Sequence, residues 1–144
     1  TQSPFDEALA AGRNPLIPQS LEEASDLLRF VTERRLPLPR PMWLWATQQR
    51  IDIKDRLAAM FQVIDGDGTW ADLPQDLGSL QIPALVVHGD CDRVIHPDVG
   101  RALAEALPQA QLRMLRGVGH LPQIEAAWHT ARLLDVFFDR QDGA

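Results

Sequence analysis

Apolar positions recur at helical spacing through the first half of the chain. Residues 5–11 (Phe-Asp-Glu-Ala-Leu-Ala-Ala) read as a short helix closed by Gly12, which tolerates the positive φ that ends many helices. Asn14-Pro15-Leu16-Ile17-Pro18 cannot continue it, because each proline restricts itself and the residue before it. Ser20 with Glu23 fits a capping box, and Leu21, Ala24, Leu27, Leu28 and Val31 form an apolar stripe behind it. That helix should stop before Pro37. Pro37, Pro39 and Pro41 force an extended link, with another helix starting near Pro41. Ile53, Leu57, Met60, Phe61 and Ile64 repeat the helical spacing up to the turn signal Asp65-Gly66-Asp67-Gly68, and a short helix is expected around Leu73–Leu77.

Near residue 82 the pattern changes. Pro83-Ala84-Leu85-Val86-Val87-His88-Gly89 is a compact apolar run ended by glycine, which suits a buried parallel strand. Residues 98–107 predict an amphipathic helix with Val99, Ala102, Leu103 and Leu107 on one side. Leu112–Leu115 reads as a second strand, and Gly117-Val118-Gly119-His120 as a loop. Pro122 suits a first helical position. Ile124, Ala127, Trp128, Ala131, Leu134 and Phe138 are expected to be the buried stripe of a last helix. Strand, helix, strand, helix implies a right-handed crossover between two neighbouring parallel strands. With two strands only, the first would keep one unpaired edge, and a chain stable alone is expected to form a homodimer through that edge or to have it covered.

This topology has a chemical consequence. Asp90 and Asp92 follow the carboxyl end of the first strand, and His120 follows that of the second. Parallel neighbours lie about 4.8 Å apart and end on the same side of the sheet. Ligands of open α/β sheets bind beyond that edge. An Asp beside a His is the orienting half of a nucleophilic triad: the carboxylate fixes the imidazole tautomer and stabilises the imidazolium. Taken singly, the aspartates could form an Asx-type turn and His120 could be a loop histidine bonded to backbone. The spacing alone does not choose between Asp90 and Asp92.

The stretch Ile82-Pro83-Ala84-Leu85-Val86-Val87-His88-Gly89-Asp90-Cys91-Asp92-Arg93-Val94-Ile95-His96-Pro97, followed by Gly119-His120-Leu121-Pro122-Gln123-Ile124-Glu125, resembles the last third of the α/β-hydrolases. More loosely, Asn14 to Glu23 and Arg34-Arg35-Leu36-Pro37-Leu38-Pro39-Arg40-Pro41 resemble the helical cap of bacterial lipases and monoacylglycerol-lipase-like esterases. The resemblance implies an α/β chain forming the C-terminal part of that fold. Residues 1–79 would be a helical cap, and residues 80–144 a β-α-β-α part of the body with two parallel strands. It implies Asp92, three residues after the strand-ending Gly89, as the acid, and His120 as the base. The expected function is cleavage of a carboxylic ester or lipid through an acyl-enzyme, with no cofactor.

The nucleophile of that family sits in Gly-x-Ser-x-Gly. None of Ser3, Ser20, Ser25 and Ser79 has glycines two positions to either side, Cys91 also lacks that setting, and no glycine-rich oxyanion loop occurs. Family members need on the order of 250–300 residues to hold the full body, about twice the 144 residues of this chain. The expectation is therefore that the nucleophile lies upstream, in a missing N-terminal half, and that this segment alone is inactive. Epoxide, haloalkane, C–C bond or lactone hydrolysis, or a non-catalytic binding module derived from a hydrolase, are the alternatives.

Composition narrows the partners. The 14 Lys and Arg against 20 Asp and Glu leave a net charge of −6, which disfavours a nucleic-acid partner. No apolar run approaches the roughly 20 residues of a membrane span, and no signal-peptide pattern opens the chain. The single cysteine, Cys91, excludes an internal disulfide framework. The compartment stays open, with a lean toward the cytoplasm. His88, Asp90, Cys91, Asp92, His96 and His120 match no common zinc spacing, so no metal is expected. Asp65-Gly66-Asp67-Gly68-Thr69 resembles the start of a calcium loop, but Trp70 and Asp76 occupy its sixth and twelfth positions and a turn is preferred. The cluster at Met42, Trp43 and Trp45 fits cap core in contact with the body, and as walls of an acyl pocket these three are the substrate-binding candidates. Trp43 and Trp45, two apart on a helix, cannot both face inward. Glu125 is accounted for by the helix dipole.

Overall fold

The computed structural model describes residues 2–36, 39–65 and 76–142. Most of the Asp65–Thr69 stretch and the start of the helix expected around Leu73 lie outside these residues. Four helices come first: α1 (Pro4–Ala10), α2 (Leu21–Val31), α3 (Arg40–Asp52) and α4 (Lys54–Asp65). A single 3-10 turn, Leu77–Ser79, precedes β1 (Ala84–Gly89), α5 (Pro97–Ala106), β2 (Ala110–Leu115), α6 (Pro122–Glu125) and α7 (Ala127–Asp142). None of the described helices is long and apolar enough to cross a membrane.

Local chemistry sets these boundaries. Ser3 caps α1 in a complete capping box: its hydroxyl accepts from Asp6 N, and the Asp6 carboxylate accepts from Ser3 N. Gly12, at φ +74°, follows the helix end as expected. Ser20 caps α2, but the reciprocal bond is shifted by one residue. Glu23 accepts from Gln19 N at 2.7 Å, because Ser20 and its neighbour are extended at that point. β1 and β2 pair in parallel from Ala84↔Ala110 to Gly89↔Leu115, so both strands end at the same level.

The core lies between the helical half and the loop after β1. Phe5, Val31 and Val94 are buried together, with Leu9, Leu16, Leu27, Phe30, Phe61 and Leu121 packed on them. Phe5 meets Phe61 edge-to-face at 6.0 Å. Burial of a side chain such as Phe5 stabilises by about 1.5–3 kcal/mol. Val94 is the link of interest, since it belongs to the loop carrying Asp92. Phe5 N, an otherwise unpaired donor in the first turn of α1, donates to Arg93 O in the same loop at 3.0 Å. The helical half therefore grips the loop on both sides of its centre.

Two expected helix faces are turned. On α5 the sheet-facing residues are Gly100, Leu103, Ala104 and Leu107, while Val99 and Ala102 are exposed. The turn arises because Gly100, lacking a side chain, is the residue that closes onto β1. On the last helix the expected buried stripe is exposed: Trp128 is 87% and Phe138 58% accessible, and Ile124, Ala127, Ala131 and Leu134 are exposed with them. Thr130, Leu133 and Phe137 face inward instead. The stripe runs unbroken through α7, after the break at Ala126 (φ −133°, ψ 42°) that ends α6, but no described element packs over it.

Candidate active site

Asp92 stands in a tight turn after β1, with 7% of its surface accessible. Its Oδ1 accepts from Val94 N at 2.8 Å and Ile95 N at 3.0 Å, which makes it an Asx turn as well as a buried acid. Its Oδ2 accepts from His120 Nδ1 at 2.9 Å. The carboxylate is thus pinned through one oxygen and presents the other to the imidazole. An ionised carboxylate can only accept, so Nδ1 carries the hydrogen and Nε2 is left as the basic nitrogen. His88, on β1, brings a second imidazole to the same oxygen, with Nε2 3.3 Å from Asp92 Oδ2 and 3.1 Å from Ile95 O.

Burial alone would raise the pKa of Asp92. Hydrogen bonds from His120, His88 and Ile95 N outweigh it and hold the carboxyl well below the usual range. The hydrogen bond to Asp92 raises the pKa of His88, against the opposing effect of burial. Asp90 has a different job. Its Oδ1 accepts from Gly117 N at 2.7 Å and from the Cys91 thiol at 3.3 Å, tying the two strand-end loops together at the surface. The hydrogen bond to Asp90 is the first cause, before burial, of a raised thiol pKa at Cys91. That thiol is held protonated, the opposite of an activated nucleophile.

The His120 loop is placed by close backbone approach. A Cβ on Gly89 would lie 2.2 Å from both Val118 O and Gly119 O, so only glycine at the end of β1 lets the second loop cross it. His120 N donates to Val31 O, the last residue of α2, at 2.8 Å. Glu125 closes the arrangement. Its buried carboxylate accepts from Gly119 N at 2.9 Å through Oε1, and from Glu33 N and Arg34 N at 2.7 and 2.9 Å through Oε2. This corrects the dipole account of Glu125: a four-residue helix offers little dipole, whereas three backbone donors need an acceptor. Arg34 adds bonds to Gly117 O and Arg116 O. Arg93 ion-pairs with Glu33 and donates to Arg29 O and Thr32 O. Residues 29–34 thereby hold both loops.

A cleft of about 340 Å³ opens beside His120, lined mainly by apolar side chains that include Leu28, Val31, Trp43 and Leu121, with Arg50 and Thr47 at its polar side. Of the three substrate-binding candidates, Trp43 lines this cleft. Met42 (59% accessible) and Trp45 (68%) point out of the same helix into solvent. Ser3 and Ser20 cap helices, and Ser79 donates to Asp76 O. Among the described residues no group of three or more His, Cys, Asp or Glu is arranged to hold a metal ion. Residue-by-residue reading missed His88, Arg34, Arg93 and the true role of Glu125. A glycine inside α5 was the available signal for His88, and an acid only five residues after His120, at the end of the short α6, that for Glu125.

Comparison with known proteins fits this geometry. The chain is 32% identical to Lipase 3 of Moraxella sp. (strain TA144) over 92% of its length, covering 42% of that protein. It is 25% identical to monoacylglycerol lipase ABHD6 of Homo sapiens over 89% of its length, covering 38% of that protein. The chain thus spans less than half the length of these relatives. Among solved structures, a membrane phospholipase A described as a novel bacterial virulence factor superposes with a TM-score of 0.91 at 25% identity. That match covers 100% of this chain and 46% of the other. The model of the alpha/beta hydrolase fold matches residues 19–127, and the chain belongs to that family.

Proposed function

We propose that this chain supplies the acid, the base and part of the substrate cleft of a serine hydrolase that cleaves carboxylic esters of lipids. The observation that carries the reading is the 2.9 Å contact between His120 Nδ1 and an Asp92 carboxylate whose other oxygen is fixed by two backbone donors. In this mechanism His120 Nε2 takes the proton of a serine hydroxyl as its oxygen attacks the ester carbonyl, and Asp92 stabilises the imidazolium. The imidazolium then gives that proton to the leaving alcohol. In the second half the neutral imidazole takes a proton from water as the water oxygen attacks the acyl-enzyme, and returns it to the serine oxygen as the acid departs.

The nucleophile in this reading lies outside the chain. The exposed stripe on α7 and the free edge of β1 support further elements packing there, as does the roughly doubled length of the relatives. Residues 1–79 are the cap and residues 80–144 belong to the body. Trp43 is the acyl-pocket wall, and Met42 and Trp45 meet the part of the lipid that stays outside the cleft.

The test is hydrolysis of short-chain nitrophenyl esters and monoacylglycerols, beside epoxide, haloalkane and lactone substrates. This chain alone is expected to be inactive. Joined to the upstream sequence, it should hydrolyse the esters, and Asp92→Asn should lower kcat by about 10⁴-fold because the amide imposes the wrong imidazole tautomer. Turnover by this chain alone that depends on His120 would overturn the external nucleophile. Ester turnover by the joined protein that ignores His120 would overturn the assignment of the base.

A further inference from the structure

The mechanism above uses one imidazole, yet Asp92 Oδ2 carries two. His88 Nε2 approaches it at 3.3 Å from the side of β1, while His120 Nδ1 approaches at 2.9 Å from the loop after β2. Both neighbours of His88 Nε2, Asp92 Oδ2 and Ile95 O, are acceptors, so this nitrogen carries a hydrogen and donates. The side chain of His88 is only 12% accessible. Its ring is seated by an unusual feature of α5: a Cβ on Gly100 would stand 2.7 Å from His88 Nδ1 and 2.9 Å from its Cγ. Glycine is a poor residue for a helix interior. Here it leaves the space that the Nδ1 edge of the imidazole occupies against the helix. Arg101, the next residue of α5, is the other charged group that acts on this ring.

We infer that His88, seated on Gly100, is a positioning residue for Asp92, holding Oδ2 on the line to His120 Nδ1. The argument is geometric. Rotation about Cβ–Cγ would carry both oxygens off their partners, and the backbone bonds resist it at Oδ1 only. A donor from His88 resists the same rotation at Oδ2, the oxygen that His120 uses. All principal acceptor directions of Asp92 are then used: two by backbone, one by each imidazole. Misplacement of a general base by a fraction of an ångström removes much of its contribution.

This inference rests on the proposed acid–base assignment, and its test separates the two. Three variants are compared in the protein joined to its upstream sequence: His88→Phe, which keeps a ring without a donor; His88→Gln, which keeps a donor near the Nε2 position; and Gly100→Ala, which leaves His88 in place but displaces its ring. Two readouts are taken: kcat and KM on a nitrophenyl ester, and the low-field proton signal of the His120 Nδ1–H. His88→Phe and Gly100→Ala should lower kcat by about tenfold at unchanged KM and weaken or shift that proton signal. His88→Gln should stay within about twofold of the parent. Parent-like kcat and proton signal in His88→Phe would overturn the inference, as would a His88→Gln loss equal to that of His88→Phe. Should His88→Phe fail to fold, Gly100→Ala gives the same comparison with the histidine present. If the parent shows no His120-dependent turnover, the functional reading fails, and the proton signal alone still decides whether His88 positions Asp92.

Discussion

Removing the acceptor at Glu125 should do more damage than removing any exposed charge of this chain. Three backbone N–H groups converge on its carboxylate, from Gly119, Glu33 and Arg34, at 2.7–2.9 Å. A hydrogen bond to a charged acceptor contributes about 1.5–3 kcal/mol net, and a donor left buried without a partner carries a penalty of its own. Glu125→Gln keeps the shape but offers one acceptor oxygen. The amide NH2 must then face either Gly119 N or the pair at 33 and 34, donor against donor. The expected destabilisation is about 2–4 kcal/mol for Glu125→Gln and about 3–5 kcal/mol for Glu125→Ala, read as the shift in urea midpoint at constant slope. Because Gly119 precedes His120, the imidazole should also lose its placement, and kcat in the joined protein should fall by about ten- to a hundredfold. A Glu125→Gln chain within about 0.5 kcal/mol of the parent, with full activity, would refute the claim that this carboxylate ties the His120 loop to the helical half.

Other outcomes follow from the same contacts. Gly89→Ala should destabilise by about 3 kcal/mol in urea unfolding, since its Cβ would meet two carbonyl oxygens at 2.2 Å and backbone cannot give way as a side chain can. The pH dependence has a defined sign. Asp92 titrates lower in the folded chain than in the unfolded one, so its contribution is present above the usual carboxylate range and is lost as pH falls below it. His88 titrates higher when folded, so its contribution is complete below the ordinary imidazole pKa of about 6.5 and is lost as pH rises through the folded value. The stability gap between parent and His88→Gln should therefore shrink toward alkaline pH; a gap independent of pH from acid to alkaline would contradict the His88–Asp92 interaction. In the structure described, β1 pairs with β2 alone, and an open apolar strand edge invites association. Light scattering of the isolated chain should find dimers or larger species, and a stable monomer would remove the edge as a point of contact.

The alternation of helix and strand was readable because each element announces itself locally. Pro4, Pro97 and Pro122 stand in first helical turns, Ser3 and Ser20 cap helices, and an apolar run ended by Gly89 marks the strand. The meeting of Asp92 with His120 followed from topology, since residues after two parallel neighbours arrive at one edge. What could not be read are the bonds that fix their spacing. Arg93 to Thr32, Arg34 to Gly117 and Glu125 to Glu33 join positions 61, 83 and 92 apart, and such side-chain-to-backbone contacts leave no period in the sequence. The same holds for the face of α7, whose stripe keeps its helical period but meets no described element that would bury it. These unread bonds share a property that bears on function. The Asp92 loop hangs on Arg93 and the His120 loop on Glu125 and His120 N, and all of them end on residues 29–34. The spacing of Asp92 and His120 is thus held in part by a segment that contains neither, beside the direct ties of Asp90 to Gly117 N and of Cys91 N to Val118 O. A substitution that shifts that segment against the sheet would bear on both loops at once, so Asp92 and His120 should be displaced together rather than singly.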